Sequence, residues 1–189
     1  MSAGWDWVRT QNIRAPLYWQ RAGAGWAAFG LRGLRPIEAA APVVHVSLYE
    51  ADAYARWRAA QDGLPLRLPT EAEWEHAAAA QAEPAIAAGH FVDSGRLAPR
   101  PAAPEQPGLQ QLFGDVWEWT NSAYLPYPGY RVASGAVGEY NGKFMINQMV
   151  LRGGSCASPR DHLRASYRNF FPADMRWQFC GLRLARDES

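Results

Sequence analysis

Charge of one sign is missing from this 189-residue chain: 19 Lys and Arg stand against 18 Asp and Glu, a net +1. No surface basic enough to hold nucleic acid or an anionic membrane is expected. Runs of about 18 or more apolar residues are absent, and no basic segment followed by an apolar one stands near the start. Neither a membrane-spanning helix nor a secretory leader is therefore expected. Cysteine is scarce. Cys156 and Cys180 are too few for a disulfide scaffold, which points to a reducing, cytoplasmic setting with each thiol a small buried hydrophobe. Histidine is scarce as well. His45, His76, His90 and His162 lie too far apart for a metal-binding motif, so no metal ligand is expected among them.

What is plentiful is tryptophan, glycine and proline, at 9, 17 and 14 residues. That composition predicts a turn-rich domain pinned by large aromatics rather than a bundle of long helices. The length suits one domain over 1–189. Residues 4–26 are dense in aromatics, yet neither a helical nor a strand period persists there.

Two helix starts are explicit. Ser47 followed by Glu50, and Thr70 followed by Glu73, are capping boxes in which each side chain answers the other residue's backbone N–H. Asp62-Gly63 ends the first helix, and Pro69 with an acidic first turn opens the second. Residues 77–111 turn Ala-, Pro- and Gln-rich and read as an irregular, partly mobile connection. In Gly114-Asp115-Val-Trp117-Glu118-Trp119, two carboxylates sit among aromatics. They either cap local backbone while the tryptophans fill the core, or Asp115 with nearby carbonyls holds a hard cation such as calcium.

The C-terminal part carries three strand-like runs, 149–156, 163–171 and 177–184, separated by glycine and proline. Arginine alternates with apolar residues at Leu163-Arg164-Ala165 and Leu182-Arg183-Leu184, the period of a half-buried strand. The middle run ends in Arg168-Asn169-Phe170-Phe171, a guanidinium and an amide followed by two aromatics, which is chemistry suited to holding a small molecule.

Four blocks, Arg67-Leu-Pro-Thr-Glu-Ala-Glu-Trp-Glu75, Gly114-Asp-Val-Trp-Glu-Trp119, Leu151-Arg-Gly-Gly-Ser155 and Gly181-Leu-Arg-Leu184, stand in order along most of the chain. Together they resemble the sulfatase-modifying-factor, or formylglycine-generating-enzyme-like, superfamily. The resemblance implies an α+β, C-type-lectin-related fold, loop-rich, with two main helices and short antiparallel strands. Formylglycine-generating oxidases of that superfamily hold copper with a cysteine pair soon after the Gly-Gly-Ser block. Here Cys156 follows that block and no second cysteine comes until Cys180, a departure at the residues that define the oxidase.

The flanks, including Gly4 to Arg9, Asn121 to Tyr130 and Tyr167-Arg-Asn-Phe-Phe-Pro172 with Arg176-Trp-Gln-Phe179, are similar to the C-terminal domain of ergothioneine-biosynthesis sulfoxide synthases of the EgtB type. Those enzymes use iron(II) and dioxygen to join a cysteine-type thiol to trimethylhistidine. Their iron ligands belong to an N-terminal helical domain of DinB type, and no His-x-x-x-His-x-Glu occurs in this chain. By resemblance this chain is a substrate-binding domain, inactive without the metal-bearing one, which is expected in cis or in trans. Phe170 and Phe171 would face the quaternary ammonium, Asn169 would orient the substrate, Arg168 or Arg176 would pair with the thiol substrate's carboxylate, and Tyr140 would be catalytic. The alternatives are a formylglycine-generating oxidase and a non-enzymatic lectin-like binding module.

Overall fold

The computed structural model describes residues 2–104 and 107–187, the side chains of Ser2, Val137, Tyr140 and Asn141 excepted. Helix α1 (Ser2–Thr10) leads into an antiparallel meander of β1 (Trp19–Ala22), β2 (Gly25–Gly30) and β3 (Gly33–Pro36). Most of α1, all of β1 and the start of β2 lie within 4–26, where no sequence period persists. Helix α1 is short, and the meander's strands span only 4, 6 and 4 residues, with little of their surface buried.

Helix α2 (Leu48–Asp62) and helix α3 (Glu71–Ala79) start as the capping boxes require, Ser47 with Glu50 and Thr70 with Glu73. Gly63, at φ 63°, closes α2 in the left-handed conformation that glycine adopts without strain. Substituting either N-cap by Ala would cost about 1 kcal/mol.

The alanine run of the expected irregular connection 77–111 is in fact ordered. It completes α3, and α4 (Ala82–Ala88) follows, with Pro84 in its first turn where a missing N–H costs nothing. Phe91 is then fully buried and a single 3₁₀ turn spans Val92–Ser94. Among the described residues between there and β5, none belongs to a helix or strand.

Strand β5 (Trp117–Ala123) is central. The four-stranded sheet runs β7 (Asn169–Phe171), β6 (Met149–Arg152), β5, β8 (Cys180–Leu182). Three of its members pair antiparallel as expected, whereas β8 lies parallel to β5. A two-stranded ladder of β4 (Leu66–Arg67) and β9 (Ala185–Arg186) joins the α2–α3 connection to the C-terminal end. Helix α5 (Ala136–Lys143) interrupts the loop between β5 and β6.

Trp119, Trp117, Leu151 and Cys180 of the sheet pack on Ala51 and Ala55 of α2, and Trp74 of α3 packs with Phe91, Leu112 and Phe113. The glycine blocks are demanded by close backbone approach. Gly114, at φ 83°, has no room for a Cβ, which would stand 2.3 Å from the His90 carbonyl oxygen. Gly153, at φ 96°, would meet the Leu112 carbonyl oxygen at 2.5 Å. Among the described residues no helix is long and apolar enough to cross a membrane.

Candidate functional site

Strand β7 is an edge of the four-stranded sheet, and its alternation divides the candidate residues between two faces. Arg168 and Phe170 share one face. Phe170 stacks on Tyr124 at 4.0 Å between ring centroids and 8° between planes. The Arg168 guanidinium lies 4.6 Å from the Tyr124 ring and 4.4 Å from the Tyr127 ring. It also donates from Nη2 to Glu71 Oε2 at 2.8 Å and from Nη1 to the Leu125 carbonyl at 3.0 Å. Its Nε lies 2.6 Å from Glu71 Oε1 but off-line for a hydrogen bond, so that contact is Coulombic alone.

Phe171 belongs to the opposite face, where Trp177 meets it edge-on at 5.2 Å. Asn169 sits on the same side by alternation. Its Oδ1 accepts the Phe170 N–H at 2.9 Å, which leaves its amide N–H groups without a protein partner among the described residues. Tyr167 extends this face: its ring tilts on Trp117 at 6.0 Å, and its hydroxyl lies 2.7 Å from His162 Nε2. Half of the Trp177 surface stays exposed (52%), so the face is an open wall rather than an enclosed pocket.

Arg176 is elsewhere. It donates to Glu50 Oε1 at 3.0 Å and to the Ala15 carbonyl at 3.3 Å, with the Trp7 ring 5.7 Å away. Neither arginine is therefore the free fork expected for a substrate carboxylate, since each is already neutralised by a glutamate. Tyr140 falls on α5, and its side chain lies outside the described residues. Of the expected site, the structure brings Asn169 and Phe171 onto one face and Arg168 and Phe170 onto the other.

The partner of Arg168 belongs to a buried ion network that the sequence does not announce. Arg152, fully buried, donates Nη1 to Glu71 Oε1 at 2.9 Å and Nη2 to Glu75, and lies over the Trp74 ring at 5.3 Å. Glu118 accepts from Trp74 Nε1 at 2.7 Å and from Arg183 at 2.8 and 3.0 Å. Arg67 joins Glu73 and Asp187, which pulls the Glu73 carboxyl down to about 2. The residues of the four sequence blocks thus bond one another. The available signal was Glu71 and Glu75 at helical spacing, four apart on one face of α3, opposite an arginine inside an apolar strand.

The calcium reading of Asp115 gives way to the capping one. The carboxylate, 1% exposed, accepts the Arg100 N–H at 2.8 Å and the Gln111 amide at 3.0 Å. Hydrogen-bond donors surround it where a calcium site would supply oxygens. The described residues offer iron no ready set of ligands either. Among the described residues no three His, Cys, Asp or Glu side chains gather at metal-binding distance. His90 Nε2 is spent on the Ala98 carbonyl at 3.0 Å, and burial pushes His45 down to about 4. Both thiols are sealed in the core as free cysteines, and burial raises each to about 12, which suits packing and not copper binding.

Comparison with known proteins agrees with this frame. The family model described as sulfatase-modifying factor enzyme 1-like domain matches residues 4–100 and 96–188. Hercynine oxygenase of Mycobacterium tuberculosis is 36% identical over 202 residues, covering 97% of this chain and 45% of that protein. The formylglycine-generating enzyme of Streptomyces coelicolor is 35% identical over 139 residues, covering 60% of this chain and 41% of that protein. Among solved structures, CarF superposes with a TM-score of 0.61 at 20% identity, covering 100% of this chain and 82% of that one. PvdO from Pseudomonas aeruginosa gives 0.58 at 19%, covering 97% and 75%. The chain spans less than half the length of the hercynine oxygenase it matches. It belongs to the sulfatase-modifying factor enzyme 1-like domain family, with the α+β fold that the family implies.

Proposed function

We propose that this domain is the substrate-binding wall of an iron(II)- and dioxygen-dependent sulfoxide synthase that joins trimethylhistidine (hercynine) to a cysteine-type thiol. The observation that carries the reading is the match to hercynine oxygenases along 97% of the chain. Support comes from the open face of β7, where strand alternation puts the unspent Asn169 amide on the same side as the Phe171 ring and its neighbour Trp177.

A trimethylammonium group gains about 0.5–2 kcal/mol against an aromatic face, more as water is excluded. The Asn169 N–H groups would bond the carboxylate or imidazole of the same molecule. Phe170, stacked on Tyr124, and Arg168, locked to Glu71, would hold β7 in place from behind. Tyr140 would supply the catalytic hydroxyl. The iron(II), which supplies dioxygen activation, would be held by a DinB-type unit outside these residues, and without that unit the domain would be inactive. Residues of this chain would bind and orient the substrate and exclude water from it.

Calorimetric titration tests the reading. Trimethylhistidine should bind, histidine should bind at least about tenfold more weakly, Asn169→Ala should weaken both alike, and Phe171→Ala should abolish the preference. Equal affinity for both ligands, or steady oxygen consumption by this chain with iron(II), cysteine and trimethylhistidine and no added partner, would sink it.

A further inference from the structure

A second recess lies away from β7, against the β1–β3 meander. It is a cleft of about 650 Å³, within the range of small-ligand pockets. Trp19, Phe29, Val44, Pro99 and Phe179 give it mostly apolar walls. Its charge is one-sided. Arg32, Arg35 and Arg96 line it against the single carboxylate of Glu38, which Arg96 already pairs at 2.8 Å. Among the described residues Arg32 and Arg35 make no ion pair and no side-chain hydrogen bond, and both are exposed on or beside β3.

His45 forms the remaining polar part of the wall. It is 6% exposed, meets Tyr18 edge-on at 5.0 Å and lies 4.7 Å from the Phe179 ring. Its Nδ1 is sealed, and the main-chain groups of Arg176 and Trp177 near the ring close no hydrogen bond on it. The imidazole is neutral at ordinary pH, because burial pushes it down to about 4. The interior of the cleft therefore offers no counter-charge, while its mouth offers two free guanidinium groups.

We propose that this cleft binds an apolar monocarboxylate of the arylalkyl acid class, the hydrocarbon body between the aromatic walls and the carboxylate on Arg32 and Arg35. A carboxylate suits the planar guanidinium fork, and a cation is repelled by the same pair. An ion at the inner end is excluded, since a charge moved from water into apolar surroundings without a partner is strongly disfavoured. Zwitterionic trimethylammonium histidine is a poor fit, so this site is separate from the wall proposed on β7.

The test is calorimetric titration of the full chain with 4-phenylbutyrate, with 4-phenylbutylamine as the charge-reversed probe. Saturable 1:1 binding of the acid that weakens with salt is expected, with the amine at least about tenfold weaker. Replacing both exposed arginines, Arg32→Ala with Arg35→Ala, should weaken the acid by about tenfold or more and leave thermal unfolding unchanged. Ala28→Trp, which fills the cleft from β2, should abolish binding, and a folding defect in that variant leaves the arginine pair to decide. No binding of the acid at millimolar concentration, equal affinity for acid and amine, or an unchanged double variant would overturn the proposal.

Discussion

Single side chains in this domain show how burial alone sets chemical character. Cys156 and Cys180 are both fully buried, and both thiols are pushed up to about 12, with Cys180 donating to the Val46 carbonyl at 2.8 Å. At pH 8 almost none of either is thiolate, so iodoacetamide should leave both unmodified in the native chain and label both in urea, read by mass spectrometry. His45 is the opposite case. Its folded value near 4 lies below the unfolded 6.5, so the native state takes up fewer protons than the unfolded chain once the pH drops below 6.5. Stability is unaffected above pH 6.5 and is lost as the pH falls from there through 4. The loss amounts to about 3 kcal/mol, the free energy that corresponds to a drop from 6.5 to about 4. Urea denaturation at stepped pH should show this slope. In His45→Asn it should vanish, because asparagine tolerates the φ of 63° and does not titrate.

Among the elements, α2 and α3 were legible and the edge strand was not. The capping boxes at Ser47 and Thr70 are local events, decided by residues three apart, and both helices start where the sequence places them. The alanine run that completes α3 lies in a stretch whose proline and glutamine content speaks for irregular chain, and its helix propensity prevails there. The meander has strands too short and too exposed to leave a period. Arg168-Asn169-Phe170-Phe171 was legible as a polar–aromatic run. Which residue faces which neighbour was not, because that depends on the β6 register and on Tyr124, Glu71 and Trp177, all distant in sequence from one another.

The same distance hid the Arg152 network, whose partners lie 81 and 77 residues away. Arg152→Ala should destabilise the domain by about 3–5 kcal/mol, since Glu71 and Glu75 would lose a fully buried counter-ion. Arg152→Met, similar in length, should cost nearly as much, because the charge and not the stem answers the carboxylates. Chemical denaturation of both variants measures this. A loss under 1 kcal/mol, the range of exposed pairs, would mean that solvent reaches the network.

Taken entire, the domain sets a packed interior against tryptophans left exposed on its surface. Trp74 and Trp119 are 2% and 0% exposed inside the two core clusters, whereas Trp5 and Trp177 stand 63% and 52% exposed at different places on the surface. A quencher such as iodide therefore reaches Trp5, Trp57 and Trp177 and leaves the core indoles bright. If β7 and Trp177 form the wall for a trimethylammonium ligand, saturating trimethylhistidine should shield Trp177 while Trp5 remains quenchable. Trp177→Phe keeps an aromatic face against Phe171, so it should retain binding and lose the ligand-dependent part of the quenching. Shielding that persists in Trp177→Phe would move the ligand off this face, and shielding by phenylbutyrate instead would merge the two sites that the geometry separates.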